Sequence, residues 1–180
     1  MLIATRNGIV ADEVVLKAGE SGEIVCTRLA LAKTSPLYVC ALYRPPRDNT
    51  ESLDNLQAAM DELAELMKTN TKSSLVVAGD FNARDIDWDV LLPTADCNKK
   101  TLCNRLISIL GEAELHHLQR ENTRQDAMLD LFCTNKPSLV KAIDTIPGIS
   151  DHDGIIFVEC GHVSKGSDKQ ETTKENSSVV

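Results

Sequence analysis

Leu75-Val76-Val77-Ala78-Gly79-Asp80-Phe81-Asn82 is the stretch on which the fold turns. Four apolar residues in a row read as a strand buried on both faces, because a half-buried strand would alternate with polar residues. A carboxylate at the end of such a strand stands at the rim of a rigid sheet, where enzymes place their chemistry. Gly79 lets the backbone turn there. Further along, Ser150-Asp151-His152 precedes a second apolar run at residues 154–159, and the two blocks together read as a phosphoesterase centre.

The residue types fit that chemistry. Phosphodiester hydrolysis requires water to be brought to an anionic phosphate and the added charge to be stabilised, and a divalent metal supplies much of that stabilisation. Magnesium prefers carboxylate oxygens and keeps several waters, so one or two Asp residues are the expected protein ligands. Asn82 can orient a water without adding negative charge. His152 suits a phosphoryl oxygen or a transferred proton, and works best when a carboxylate fixes its tautomer. Asp130, in Met128-Leu129-Asp130-Leu131-Phe132-Cys133, is the candidate for that carboxylate.

Four blocks in order carry a resemblance: Ala41-Leu42-Tyr43-Arg44-Pro45-Pro46, Val77-Ala78-Gly79-Asp80-Phe81-Asn82-Ala83, Leu129-Asp130-Leu131-Phe132 and Gly148-Ile149-Ser150-Asp151-His152-Asp153. The chain resembles the endonuclease/exonuclease/phosphatase superfamily, specifically the apurinic-type endonuclease domain of jockey-like non-LTR retrotransposons. The resemblance implies a DNase I-like four-layer α/β sandwich, a DNA substrate, and magnesium, or manganese in its place. It implies that Asp80 and Asn82 position the attacking water and that Asp151 is a metal ligand. His152, held by Asp130, would contact the scissile phosphate, and Tyr43 would hydrogen-bond it from the opposite wall. Arg44 would be a backbone contact.

The chain also departs from the pattern. Members of the superfamily carry an Asn-bearing strand and then a strand with a metal-binding Glu ahead of the segment that Met1-Leu2-Ile3-Ala4-Thr5-Arg6-Asn7-Gly8 resembles, and neither block is in this sequence. The expectation is a sandwich lacking its first strands, with activity reduced or lost. The alternatives are a non-catalytic remnant or interaction protein of the same fold, and a phosphatase of the same superfamily.

A length of 180 residues is enough for one sizeable core, and no stretch approaches the roughly 20 apolar residues of a membrane-spanning helix. Without a signal-peptide pattern the expectation is an intracellular protein, nuclear or cytoplasmic. The six cysteines form no Cys-x-x-Cys pair and no zinc spacing, so they read as reduced, mostly buried thiols with no disulfide-linked partner. A net charge of −8 is unusual for a nucleic-acid enzyme, since affinity for a polyanion comes largely from Lys and Arg. Arg84, Lys99, Lys100, Arg105, Arg120 and Arg124 lie between the two principal blocks and partly answer it.

The layout alternates strands and helices. Residues 1–5, about 23–31 and about 37–43 read as strands, the last two as a hairpin whose turn contains Ser35-Pro36. A helix from about 51 to 68 repeats Leu53, Leu56, Met60, Leu63 and Met67 on one face, with Asn49 or Thr50 as its cap. A second helix spans about 99–111, residues 129–134, 140–146 and 154–159 read as strands, and the polar tail 161–180 reads as disordered. Trp88 either packs its own loop or stacks on a base. His116-His117 reads as a solvated loop or strand edge, and Asp80 and Asn82 taken alone also suit a simple turn.

Overall fold

The computed structural model describes residues 1–18, 23–30, 35–46, 50–148, 152–159 and 177–179. Its central sheet is built around β4 (Ser74–Asp80), flanked by β3 (Leu37–Tyr43) and β8 (Asp130–Thr134). Beyond β3 lie β2 (Ile24–Ala30) and β1 (Val10–Val14), and beyond β8 lies the short β7 (His116–His117). β3 and β4 run parallel, and the other neighbours in this six-stranded sheet run antiparallel. A parallel pair requires a crossover, and α1 (Glu51–Lys68) makes it.

β4 shows why an unbroken apolar run was needed. Leu75 and Val77 face the helical side, where Leu53, Leu56 and Leu63 of α1 and Leu106 and Ile109 of α2 (Lys100–Glu112) close the larger core. Val76 and Ala78 face the other way, joining Leu37, Phe132 and Ile155 in a second core. That second core is closed by β9 (Val140–Ile146) and β10 (Gly154–Glu159), which with β11 (Ser177–Val179) form a three-stranded sheet. Full burial of each such Leu side chain contributes about 2 kcal/mol. Among the described residues this makes three layers of the expected four: helices, large sheet, small sheet.

Each helix forms for a local reason. α1 presents Leu53, Leu56, Ala59, Met60 and Leu63 on one buried face, with Glu51 and Asp54 in its first turn and Lys68 in its last, matching the helix dipole. Thr50 occupies the N-cap position without a side-chain cap bond, and its carbonyl accepts Asp54 N–H at 2.8 Å. Asn49, the other expected cap, lies outside the described residues. Glu62 on α1 accepts the backbone N–H groups of Lys17 and Ala18, fastening the segment after β1 to the helix.

Two sequence expectations are corrected. The first strand is Val10–Val14 and not residues 1–5: Met1 and Leu2 are exposed, and pairing starts at Val10 opposite Ala30, after the turn at Asn7-Gly8. Between Asn82 and α2 the chain forms a small hairpin, β5 (Ile86–Asp87) with β6 (Leu92–Pro93), where a plain loop was expected. Ser177–Val179 pair antiparallel with β10; the rest of the tail expected to be disordered, residues 161–176 and 180, lies outside the described residues. No described helix is long and apolar enough to cross a membrane. The described cysteines Cys26, Cys40, Cys97, Cys103 and Cys133 are free and buried.

Candidate active site

The site is assembled by register. Tyr43 of β3 lies beside Asp80 of β4, and Asp80 lies opposite Asp130 of β8, so one row crosses three strands at the sheet rim. Because Phe81 N–H donates to Leu129 O at 2.8 Å, the neighbouring Asp80–Asp130 pair is of the non-hydrogen-bonded kind. Side chains approach most closely at such pairs, with Cα atoms about 4.5 Å apart. Strand alternation puts all three residues on the face shared with Val76, Ala78 and Phe132, toward the small sheet. Tyr43 is 45% exposed, as a group meeting a substrate from outside would be.

His152 completes the corner from the segment leading into β10. Its Nδ1 lies 2.7 Å from Asp130 Oδ2, with both side chains largely shielded. A Cβ on Gly148 would meet the His152 carbonyl oxygen at 1.7 Å, so only glycine fits at that position. Gly148 N–H donates to Asp153 Oδ1, and Asp153 N–H donates to Thr123 O at 2.7 Å.

Gly79 and Asn82 shape the other side of the corner. Gly79 has φ +141°, and a Cβ there would lie 2.0 Å from the Leu42 carbonyl oxygen, so β3 and β4 can stay paired to the rim only with glycine. Asn82 has φ 47°, a left-handed conformation that Asn tolerates. Its backbone N–H donates to Asp80 Oδ1 at 2.9 Å, and its Nδ2 donates to Arg44 O at 2.9 Å, which leaves Oδ1 as the acceptor able to orient a water. The Arg44 guanidinium is buried and donates to Phe81 O at 2.9 Å. It therefore props the Asp80–Asn82 turn from within the fold.

Burial raises the Asp80 carboxyl above the usual carboxylate range, and the facing Asp130 adds to the rise. The Asn82 N–H and His152 work against it. Two carboxylates opposite one another are mutually destabilising unless a cation lies between or beside them. The facing carboxylates of Asp80 and Asp130 therefore suit a hard divalent ion nearby that takes few protein ligands and keeps its waters. No cluster of three metal-binding side chains is found among the described residues. Asp151, the metal ligand implied by the resemblance, lies outside them, as does Ser150.

One positioning residue had no signal in the sequence. Thr123 is fully buried, and its Oγ1 accepts the N–H groups of Leu129 at 3.2 Å and Asp130 at 3.0 Å. With its carbonyl on Asp153, it ties the Asp130 end of β8 to the His152 segment. A threonine in a polar loop carries no pattern that would mark it.

A cleft of about 450 Å³ opens beside Asn82, lined in part by Arg44, Arg84, Lys99 and Arg124 and floored by Leu106 and Leu129. Of the six scattered cations, the fold brings Arg84, Lys99 and Arg124 together here. Arg105 pairs with Asp54 on α1, and Arg120 pairs with Asp89 at 3.1 Å. Trp88 is buried and packs on His117, with ring centroids 5.1 Å apart, so it holds the β5–β6 hairpin against the sheet edge and is not a stacking platform.

Residues 37–156 match the sequence model of a family described as endonuclease-reverse transcriptase. Among solved structures, the chain is similar to an endonuclease/exonuclease/phosphatase from Beutenbergia cavernae at 15% identity and TM-score 0.48, over 84% of this chain and 44% of that one. It is also similar to a beta toxin from Staphylococcus aureus at 11% identity and TM-score 0.43, over 73% of this chain and 55% of that one. The chain thus spans about half the length of each. No curated protein sequence matches it.

Proposed function

This chain belongs to the endonuclease-reverse transcriptase family, within the endonuclease/exonuclease/phosphatase superfamily, and from that premise we propose that it is the DNA-nicking endonuclease domain of a non-LTR retrotransposon. The observation that carries the reading is the His152–Asp130 pair at 2.7 Å, set beside an Asp80 that faces Asp130 in register. Asp130 fixes the imidazole tautomer and orientation, leaving Nε2 to meet a phosphoryl oxygen. Asp80, with Asn82 beside it, orients a water for in-line attack and takes its proton. Tyr43 donates from the opposite wall to the same phosphate. Magnesium, or manganese in its place, would be held by Asp151 and would supply neutralisation of the phosphate charge.

DNA as substrate is supported by the cations of the adjoining cleft, which suit a phosphate backbone despite the net charge of −8. In a retroelement the nick would prime reverse transcription.

The test is nicking of supercoiled plasmid by the purified chain with magnesium or with EDTA, beside an Asp80→Ala plus His152→Ala double variant. Metal-dependent nicking that the double variant lacks supports the proposal. A folded chain that leaves the plasmid intact overturns it in favour of a non-catalytic descendant of the domain. Release of phosphate from small phosphorylated substrates, with plasmid untouched, moves the assignment to a phosphatase.

A further inference from the structure

Among the described residues, two close thiol pairs differ in what surrounds them. Cys26 and Cys40 face each other across β2 and β3, Sγ to Sγ 3.0 Å, and are almost completely buried in the core. Cys97 and Cys103 lie at the start of α2 with Sγ atoms 3.5 Å apart. There, Cys103 is part of the wall of the cleft beside Asn82. Lys99 N–H donates to Cys97 Sγ at 3.3 Å, and Cys103 Sγ donates to the Asp85 carbonyl at 3.8 Å.

We propose that Cys97 and Cys103 are an oxidation site, closed to a disulfide by a peroxide entering through the cleft. The step balances as follows. The Cys103 thiolate attacks one peroxide oxygen, the O–O bond breaks, and water leaves once the departing hydroxide is protonated, giving a sulfenic acid at Cys103. Cys97, as thiolate, attacks that sulfur; the S–O bond breaks, the S–S bond forms, and a second water leaves. Two thiols lose two electrons and two protons, and hydrogen peroxide becomes two waters. Closure joins the turn before α2 to its first helical turn and removes the thiol donor from Asp85 O, three residues past Asn82.

Desolvation in the cleft wall and the neighbouring Cys97 push the Cys103 thiol up to about 11. The attacking thiolate is therefore scarce at neutral pH, and closure accelerates about tenfold per pH unit in that range. Cys26 and Cys40 have the geometry without the access, which makes them an internal control.

The experiment treats the full native chain with hydrogen peroxide, blocks the remaining thiols with an alkylating reagent and maps the peptides by mass spectrometry, with circular dichroism confirming the fold. The expected result is loss of two of the six thiols, a Cys97–Cys103 cross-linked peptide that a reductant reverses, and faster closure at higher pH. A Cys103→Ser chain should give no such cross-link while staying folded. Absence of that cross-link in folded wild-type chain overturns the proposal. So does a Cys26–Cys40 cross-link that forms as fast, because access through the cleft would then have no role.

Discussion

His152 and His117 stand at opposite ends and on opposite faces of one strand, β8, and their surroundings have little in common. His152 meets the Asp130 carboxylate at 2.7 Å on the face toward the small sheet. His117, across from Cys133, lies on the helical face against Trp88, and neither of its ring nitrogens makes a hydrogen bond in good geometry; the Gln119 backbone is the polar group that bears on it. Burial, with Arg120 adding to it, pushes His117 down to about 4, so the ring stays neutral at ordinary pH. One imidazole is held by a carboxylate hydrogen-bond partner, the other is packed on an indole ring. Side-chain identity does not separate them; the partner across the strand does.

The sharpest way to break this comparison is to remove each ring and look for the effect in the wrong place. His152→Ala should cut metal-dependent nicking by about 10² to 10⁴-fold, the range of a positioned acid or base, with little change in the unfolding midpoint. If nicking survives, the His152 corner is structural after all. Asp130→Asn should lower nicking by about 10²-fold while the fold persists, since the imidazole loses the group that sets its tautomer. An effect on stability alone would place Asp130 with His117, as a packing residue.

His117 should show itself through pH. Its ordinary value is 6.5 and its folded value about 4, so the unfolded chain takes up a proton first as pH falls. Stability from the neutral ring is complete above pH 6.5 and is lost as pH drops through about 4. The loss should be on the order of 3 kcal/mol, read from denaturant melts at pH 7 and pH 4. His117→Phe should abolish most of that difference; an unchanged acid loss would assign it to other groups. The smallest effect belongs to the ion pair beside this ring. Arg120 and Asp89 are 3.1 Å apart but mostly exposed, so Arg120→Ala should shift stability by no more than about 0.5 kcal/mol in the same melts. A larger shift would mean that the pair, and not Trp88 on His117, holds the β5–β6 hairpin.

Much of this arrangement was legible in the sequence, and the reason differs from part to part. α1 was readable to its ends because a repeated apolar face and charged termini are local properties. β4 was readable because its apolar run is unbroken, and the Asp80, Asn82, Asp130 and His152 corner because those residues resemble a known set. The first strand was misplaced because Met1-Leu2-Ile3 is apolar enough for a strand but has no neighbour to pair with, whereas Val10–Val14, which is mostly exposed, has β2. β7 spans two residues and carries no pattern of its own, so the fate of Trp88 could not be read without it. Thr123 and Arg44 escaped as positioning residues because their roles consist of hydrogen bonds to backbone atoms distant in sequence.

The sequence by itself determined which segments are strands and helices over most of the chain and which polar residues have no place in a core. Those follow from periodicity and local conformational preference, and both are written in neighbouring residues. Tertiary structure alone decided that Asp80 would face Asp130 and not slip one residue past it, that His152 would reach that pair, and that His117 would be buried against Trp88. Register does this: side chains alternate faces along a strand, so a shift of one residue would turn Asp130 away from both partners, and only pairing across the whole sheet fixes it.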